Sequence, residues 1–235
     1  MIEIRKSEDR GKTKLDWLTS YHSFSFNQYY DPTHVRFGPV RVLNDDIIMP
    51  GTGFGAHSHD NMEIVTYVLE GTLEHQDSIG TRGIIKAGEV QRMSAGTGIV
   101  HSEYNASDKE RVHLLQIWFF PNERGLTPSY EQKNFTKNQR KNLLLPAASE
   151  RKELGGVYLH QDVTMYVSNL EVAHELSYQL QDGRGVYLYL ADGKADANNV
   201  ALSKGDAAKV HKEQSLTIRA AEESEIVLFD VPLGS

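Results

Sequence analysis

Two short segments carry the side chains best suited to hold a metal ion. His57-Ser58-His59 sets two imidazoles at i and i+2. On a β-strand that spacing puts them on one face with Cα atoms roughly 6.5 to 7 Å apart, so both reach one cation. His101-Ser102-Glu103 repeats the geometry with an imidazole and a carboxylate. If the two strands face each other, the four groups converge as three neutral nitrogen donors and one anionic oxygen donor. Such a set suits Fe(II), Cu, Ni, Mn, Co or Zn and suits Ca or Mg poorly. Either pair alone reads as polar filler on a strand; each pair makes the metal reading of the other stronger. Four protein ligands would complete a tetrahedral shell, whereas an ion preferring five or six positions would keep room for water, O₂ or substrate.

The elements that must position these groups read as strands. Apolar residues recur at period 2 or in short runs, as in Ile64 to Leu69, Val112 to Phe120, Val186 to Leu190 and Ile226 to Phe229. Glycine-containing breaks at Gly71, Gly80, Gly88, Gly193 and Gly205 arrive at the short intervals of an all-β sandwich or barrel. Tyr67 to Gly71 followed by Ile85 to Glu89 is echoed by Leu188 to Gly193 followed by Leu202 to Asp206, which suggests two halves of similar architecture. Between them, Pro121 to Lys152 is polar and basic, with Lys133, Lys137, Arg140, Lys141, Arg151 and Lys152 reading as a solvated surface.

Length and composition bound the rest. The 235 residues suffice for one large domain or two compact ones with a core of their own. The absence of Cys excludes disulfides, thiolate metal sites and cysteine nucleophiles, leaving nitrogen and oxygen as the only metal donors. A net charge of -7 gives no global basic field for nucleic acid or an anionic membrane. The N-terminal run is charged where a signal peptide is apolar, and no segment approaches the ~20 apolar residues of a membrane helix. The expectation is a soluble cytoplasmic chain without direct nucleic-acid or membrane binding.

Motif spacing then points to a family. Gly51, five residues, His57-Ser58-His59, three residues and Glu63 follow the first cupin motif; Gly88, five residues, Ser94-Ala95-Gly96, His101, three residues and Asn105 follow the second, with Ser94 at the usual proline and Gly71 one residue late. More specifically, the chain resembles the bacterial pirins. The resemblance is carried by Tyr21 to Phe26, Val42 to Asp46, His57 to Tyr67, Asp77 to Gly80, Gly88 to Ile99 and His101-Ser102-Glu103, about half the chain. It implies a bicupin, two double-stranded β-helix (jelly-roll) barrels, with residues 1–125 a metal-binding cupin, 126–152 a connector and 153–235 a cupin without a metal site. It also implies His57, His59, His101 and Glu103 as ligands of one divalent ion per chain, with Fe(II) expected. Glu63, four residues past His59, competes for the fourth position, as in ordinary cupins. Glu103 is preferred on the resemblance and because an i, i+2 pair assumes no unbroken strand. Pirins of this type resemble quercetin 2,3-dioxygenases, which open a flavonol with O₂ and release CO, and Glu103 would be the catalytic base. The competing implication is an iron-dependent, redox-sensing pirin that regulates a protein partner, with incidental quercetinase activity.

Alignment of the two halves places Gln179, Gln181, Ile218 and Ala220 opposite the four ligands, so no metal set is expected there. Tyr187 and Tyr189 read as core. His75, His113, His160, His174 and His211 have no partner at ligand spacing and read as hydrogen-bonded or exposed; His22 and His34 are candidates to support the ligands from behind.

Overall fold

The computed structural model describes residues 1–234, and they form two stacked β-sandwich barrels. In the N-terminal barrel a seven-stranded sheet runs in the order Ser129–Asn134, Glu89–Ser94, Glu63–Glu70, Val112–Phe119, Val40–Ile48, Leu18–His22, Gly11–Lys14. Its four-stranded partner runs Gly53–His59, Ile99–Asn105, Thr72–Asp77, Arg82–Lys86. The C-terminal barrel repeats the plan with seven strands and four, which gives the two similar halves read from the internal echo and the bicupin that the resemblance implies.

The two seven-stranded sheets pack face to face. Val65, Tyr67, Leu115, Ile117 and Phe119 from one meet Ala147, Met165, Tyr187, Tyr189 and Phe229 from the other in the largest buried apolar cluster. Strands buried on both faces need continuous apolar runs, which explains why Ile64 to Leu69 and Val186 to Leu190 lack strict alternation.

The barrel interiors differ. In the C-terminal barrel Leu176, Ala195, Leu216, Ile218 and Ala220 join one apolar cluster, so the positions aligned with His101 and Glu103 lie in packed core. In the N-terminal barrel the apolar interior is split between a cluster around Leu73, Ile85 and Leu114 and a smaller one around Ile64, Met93 and Ile99. Between them lie polar side chains.

The stretch expected as a connector contributes to both halves. Ser129–Asn134 forms an edge strand of the N-terminal sheet and Leu145–Ser149 pairs with Thr164–Leu170 of the C-terminal one. An edge strand is wetted on one side, so its polar sequence hid it. Arg140, expected at the surface, is 3% exposed and pairs with Glu225 at 2.5 Å, beside Tyr67. At the other end, Ile2–Arg5 pairs with Ala207–His211 and so belongs to the C-terminal sheet.

A second polar staple joins the barrels at Asp45, which accepts from His113 Nε2 at 2.6 Å, Tyr189 Oη at 2.5 Å and Arg10 at 3.3 Å. Burial alone would raise this carboxyl, but His113, Tyr189 and Arg10 outweigh it and hold the pKa down to about 2. A depressed pKa contributes stability that is present above the unfolded value near 4 and is lost as pH falls through 2, here on the order of 2 kcal/mol. Urea unfolding at pH 5 and pH 2.5 should show this loss in the wild type, and Asp45→Asn should be less stable at pH 5 with a shallower acid dependence. Equal pH slopes would refute the assignment.

Candidate metal centre

The four-stranded sheet Gly53–His59, Ile99–Asn105, Thr72–Asp77, Arg82–Lys86 lays out the polar array. His101 pairs with His57 on one side and Asp77 on the other, while Glu103 lies opposite Phe54 and His75. Period 2 along each strand puts His101 with Glu103, and His75 with Asp77, on one inward face.

The register slips between His101 and Glu103 against Gly53–His59, so this strand carries an extra residue at the level of Gly55 and Ala56. The slip matters because the Gly55 carbonyl lies 2.8 Å from His57 Nδ1. A carbonyl only accepts, so Nδ1 must carry the proton and Nε2 keeps its lone pair. That is the support a metal-bound imidazole requires.

His57, His59 and His101 form a compact triad with ring centroids 4.4 to 4.9 Å apart. Their donor atoms all lie within 4.8 Å of one another. Burial, then the neighbouring His57, His59 and His75, pushes the His101 pKa down to about 2; burial and His57 bring His59 to about 4. Both are neutral at physiological pH, as ligands must be. Both ring nitrogens of His101 are buried without a hydrogen-bond partner. A buried imidazole with neither nitrogen satisfied is costly unless something else takes a lone pair, so these residues fit a metal ion.

Glu103 is buried at the base of the same cavity. Its Oε1 accepts from Gln91 at 2.7 Å and Thr66 at 3.2 Å, and its Oε2 from Gln116 at 2.8 Å. Burial pushes its pKa above the ordinary carboxylate range, against His75 and the hydrogen bonds of Thr66 and Gln116. Glu103 groups with His101 through a second triad, completed by His75. Glu63 is elsewhere. Asn61, in the left-handed region at φ 47°, turns the chain between the two strands, and Glu63 Oε2 accepts from the His160 backbone N–H at 3.1 Å at the inter-barrel boundary. The parity argument for Glu63 required a straight strand, and the chain turns there.

The remaining histidines separate cleanly. His22 lines the cavity, with Nδ1 2.8 Å from Asn44 and Nε2 2.9 Å from Thr13, whereas His34 sits 2.8 Å from Asp31. His113 and His160 pair with Asp45 and Glu63, His211 lies 3.4 Å from Glu3, and His174 is exposed. His75 is fully buried and bonded to Asp77, as its hydrogen-bonded reading has it, but it also abuts His101 with ring centroids 5.3 Å apart. Its i, i+2 pairing with Asp77 repeats the spacing of the other two segments and was the available signal.

Above the triad opens a cavity of about 290 Å³. Its walls are Trp17, Leu18, Phe26, Phe54, Ile64 and Trp118, with Thr13, Ser20, Asn27 and Asn44 as polar points. Trp118 packs edge-on to His59 at 4.9 Å, and Phe54 edge-on to Trp17 at 5.1 Å. An apolar cleft with a few convergent polar groups is the usual form of a small-molecule site.

Two stacked cupin barrels with a histidine-rich cavity in the first define a bicupin. The family model described as Pirin matches residues 3–119, and that described as Quercetinase C-terminal cupin domain matches residues 147–231. The chain is 47% identical to a quercetin 2,3-dioxygenase of Escherichia coli K12, over 99% of each chain. It superposes on the crystal structure of Escherichia coli YhhW with a TM-score of 0.95 at 45% identity, covering 99% of this chain and 98% of that one. A nickel(II) complex of that bacterial pirin gives a TM-score of 0.93 at 44% identity, covering 99% of each. This chain belongs to the pirin family.

Proposed function

We propose that this chain is a cytoplasmic, metal-dependent quercetin 2,3-dioxygenase that opens a flavonol-like ring with O₂ and releases CO. The observation that carries this reading is the triad of imidazoles at the floor of an apolar-walled cavity, beside a buried carboxylate able to take a proton. The family relatives named for this activity support it.

His57, His59, His101 and Glu103 would hold one divalent ion, Fe(II) by proposal, with Cu, Ni, Mn, Co or Zn accepted by the same donors. The nickel complex of the related pirin favours a centre open to several metals. When bound, the ion supplies Lewis acidity that lowers the pKa of a coordinated hydroxyl. Glu103 then accepts the flavonol proton as general base, held in place by Gln91, Thr66 and Gln116. Trp17, Phe26, Phe54 and Trp118 bind and orient the planar ring system and exclude water.

The test loads metal-free protein anaerobically with each ion, then admits O₂ and follows flavonol absorbance, O₂ uptake and CO. One equivalent of O₂ consumed and one of CO released per flavonol is the expected result, with one metal per chain. A rate no higher than that of the free ions would overturn the assignment.

A further inference from the structure

The inward face of the N-terminal seven-stranded sheet carries a row of polar side chains that crosses five strands. Register sets His22 opposite Asn44, Asn44 opposite Gln116, Gln116 opposite Thr66 and Thr66 opposite Gln91. Side chains directly opposed across strands are close enough to act together. Gln116, Thr66 and Gln91 all donate to Glu103. The Asn44 end of the row is held differently.

His22 fixes that end. Burial pushes its pKa below the ordinary imidazole value, so the ring is neutral and carries a single N–H. Its Nδ1 lies 2.8 Å from Asn44 Oδ1, which only accepts, so the proton is on Nδ1. Nε2 is then free to accept from the Thr13 hydroxyl at 2.9 Å. With Oδ1 taken by His22, Asn44 has its Nδ2 group left. Among the described residues that group has no hydrogen-bond partner, although Asn44 is 3% exposed and lines the cavity. A donor so placed carries a desolvation cost unless a ligand accepts from it.

We propose that Asn44 Nδ2 donates to the ring carbonyl of the substrate, so that Asn44 and Glu103 together read a hydroxyl beside a carbonyl. The inference deepens the flavonol reading of the cavity and rests on it. Both residues line the cavity, and Asn44 stands opposite Gln116, which holds Glu103. In a free flavonol the 3-hydroxyl donates to the adjacent carbonyl. When Glu103 takes that proton the carbonyl loses its donor, and the Asn44 N–H replaces it. Thr13 and His22 are the positioning residues that keep the amide turned the right way.

The probe is flavone, which has the ring carbonyl but no 3-hydroxyl to be deprotonated. Its binding to Ni(II)-loaded and to metal-free protein is followed by quenching of Trp17 and Trp118, the two tryptophans of the chain, both on the cavity wall. Its carbonyl stretch is followed by difference infrared spectroscopy with an isotope label at that carbon. Asn44→Leu should weaken flavone about 10-fold in both forms, as the loss of one hydrogen bond in a buried site predicts. The same variant should return the stretch toward its value in an apolar solvent. His22→Phe leaves Asn44 in place but lets its amide turn, so it should move the stretch the same way; it carries the test if Asn44→Leu does not fold by near-UV circular dichroism. An unchanged affinity and stretch in these variants would overturn the assignment, as would a wild type that binds 3-hydroxyflavone but not flavone. A loss confined to the Ni(II) form would place the carbonyl on the ion instead of Asn44. A wild type that binds neither compound would refute the cavity as a flavonol site.

Discussion

His101→Ala should abolish the thermal stabilisation that metal gives this protein. For an ion present at a thousand times its dissociation constant, binding to the folded state alone adds about 4 kcal/mol. At 2 to 4 °C per kcal/mol for a chain of this size, the wild type should melt roughly 8 to 16 °C higher with metal than without. His101 is the one residue common to both ligand clusters, so among the described residues its loss leaves no three donors within 4.8 Å of one another. The fall in affinity should therefore exceed the 10- to 100-fold that removal of a supporting group costs. The metal-free variant should lose much less, because the deleted ring has two buried nitrogens without partners and its removal relieves that penalty even as it leaves a void. Scanning calorimetry of both proteins with and without Ni(II) reads the result, and a metal-induced shift of wild-type size in His101→Ala would refute the site.

How much of this was legible in the sequence follows from which physical signals act locally. His57-Ser58-His59 and His101-Ser102-Glu103 were readable because strand parity is a local rule, and the register His101 to His57 brings the two pairs together. The apolar runs were readable because strands buried on both faces announce themselves. Ser129–Asn134 was not, since an edge strand needs no apolar run, nor was Ile2–Arg5, whose partner lies some 200 residues away. Arg140 is buried because Glu225 and Tyr67 come from two different barrels to meet it, and nothing within the basic stretch signals that. His75 is hidden for a similar reason. Its i, i+2 partner Asp77 is visible in the sequence, but its neighbours His101 and Glu103 arrive only through pairing of Thr72–Asp77 with Ile99–Asn105. Glu63 shows the converse error, in which a parity rule is carried across a left-handed residue at Asn61.

Glu103→Gln should separate proton transfer from metal retention. The substitution keeps the side chain's volume and one acceptor oxygen, so it can still accept from Gln91 and Thr66, and rotation of the Gln116 amide lets its oxygen face the new NH₂ group. Folding should be nearly unaffected. The triad of His57, His59 and His101 is untouched, so metal should still bind, though more weakly. What disappears is the only carboxylate lining the cavity among the described residues, and with it the proposed acceptor of the flavonol proton. General-base loss predicts a fall in kcat of about 10²- to 10⁴-fold. The pH profile gives a second, independent reading. A carboxylate base works only when ionised, so wild-type kcat should drop on the acid side as Glu103 protonates, and that limb should be missing in Glu103→Gln. Glu103→Asp retains the base but withdraws it from the substrate, so it should keep the acid limb at a reduced rate. A Glu103→Gln enzyme with undiminished kcat and an unchanged acid limb would move the base elsewhere; loss of all bound metal in that variant would make the carboxylate an indispensable ligand instead.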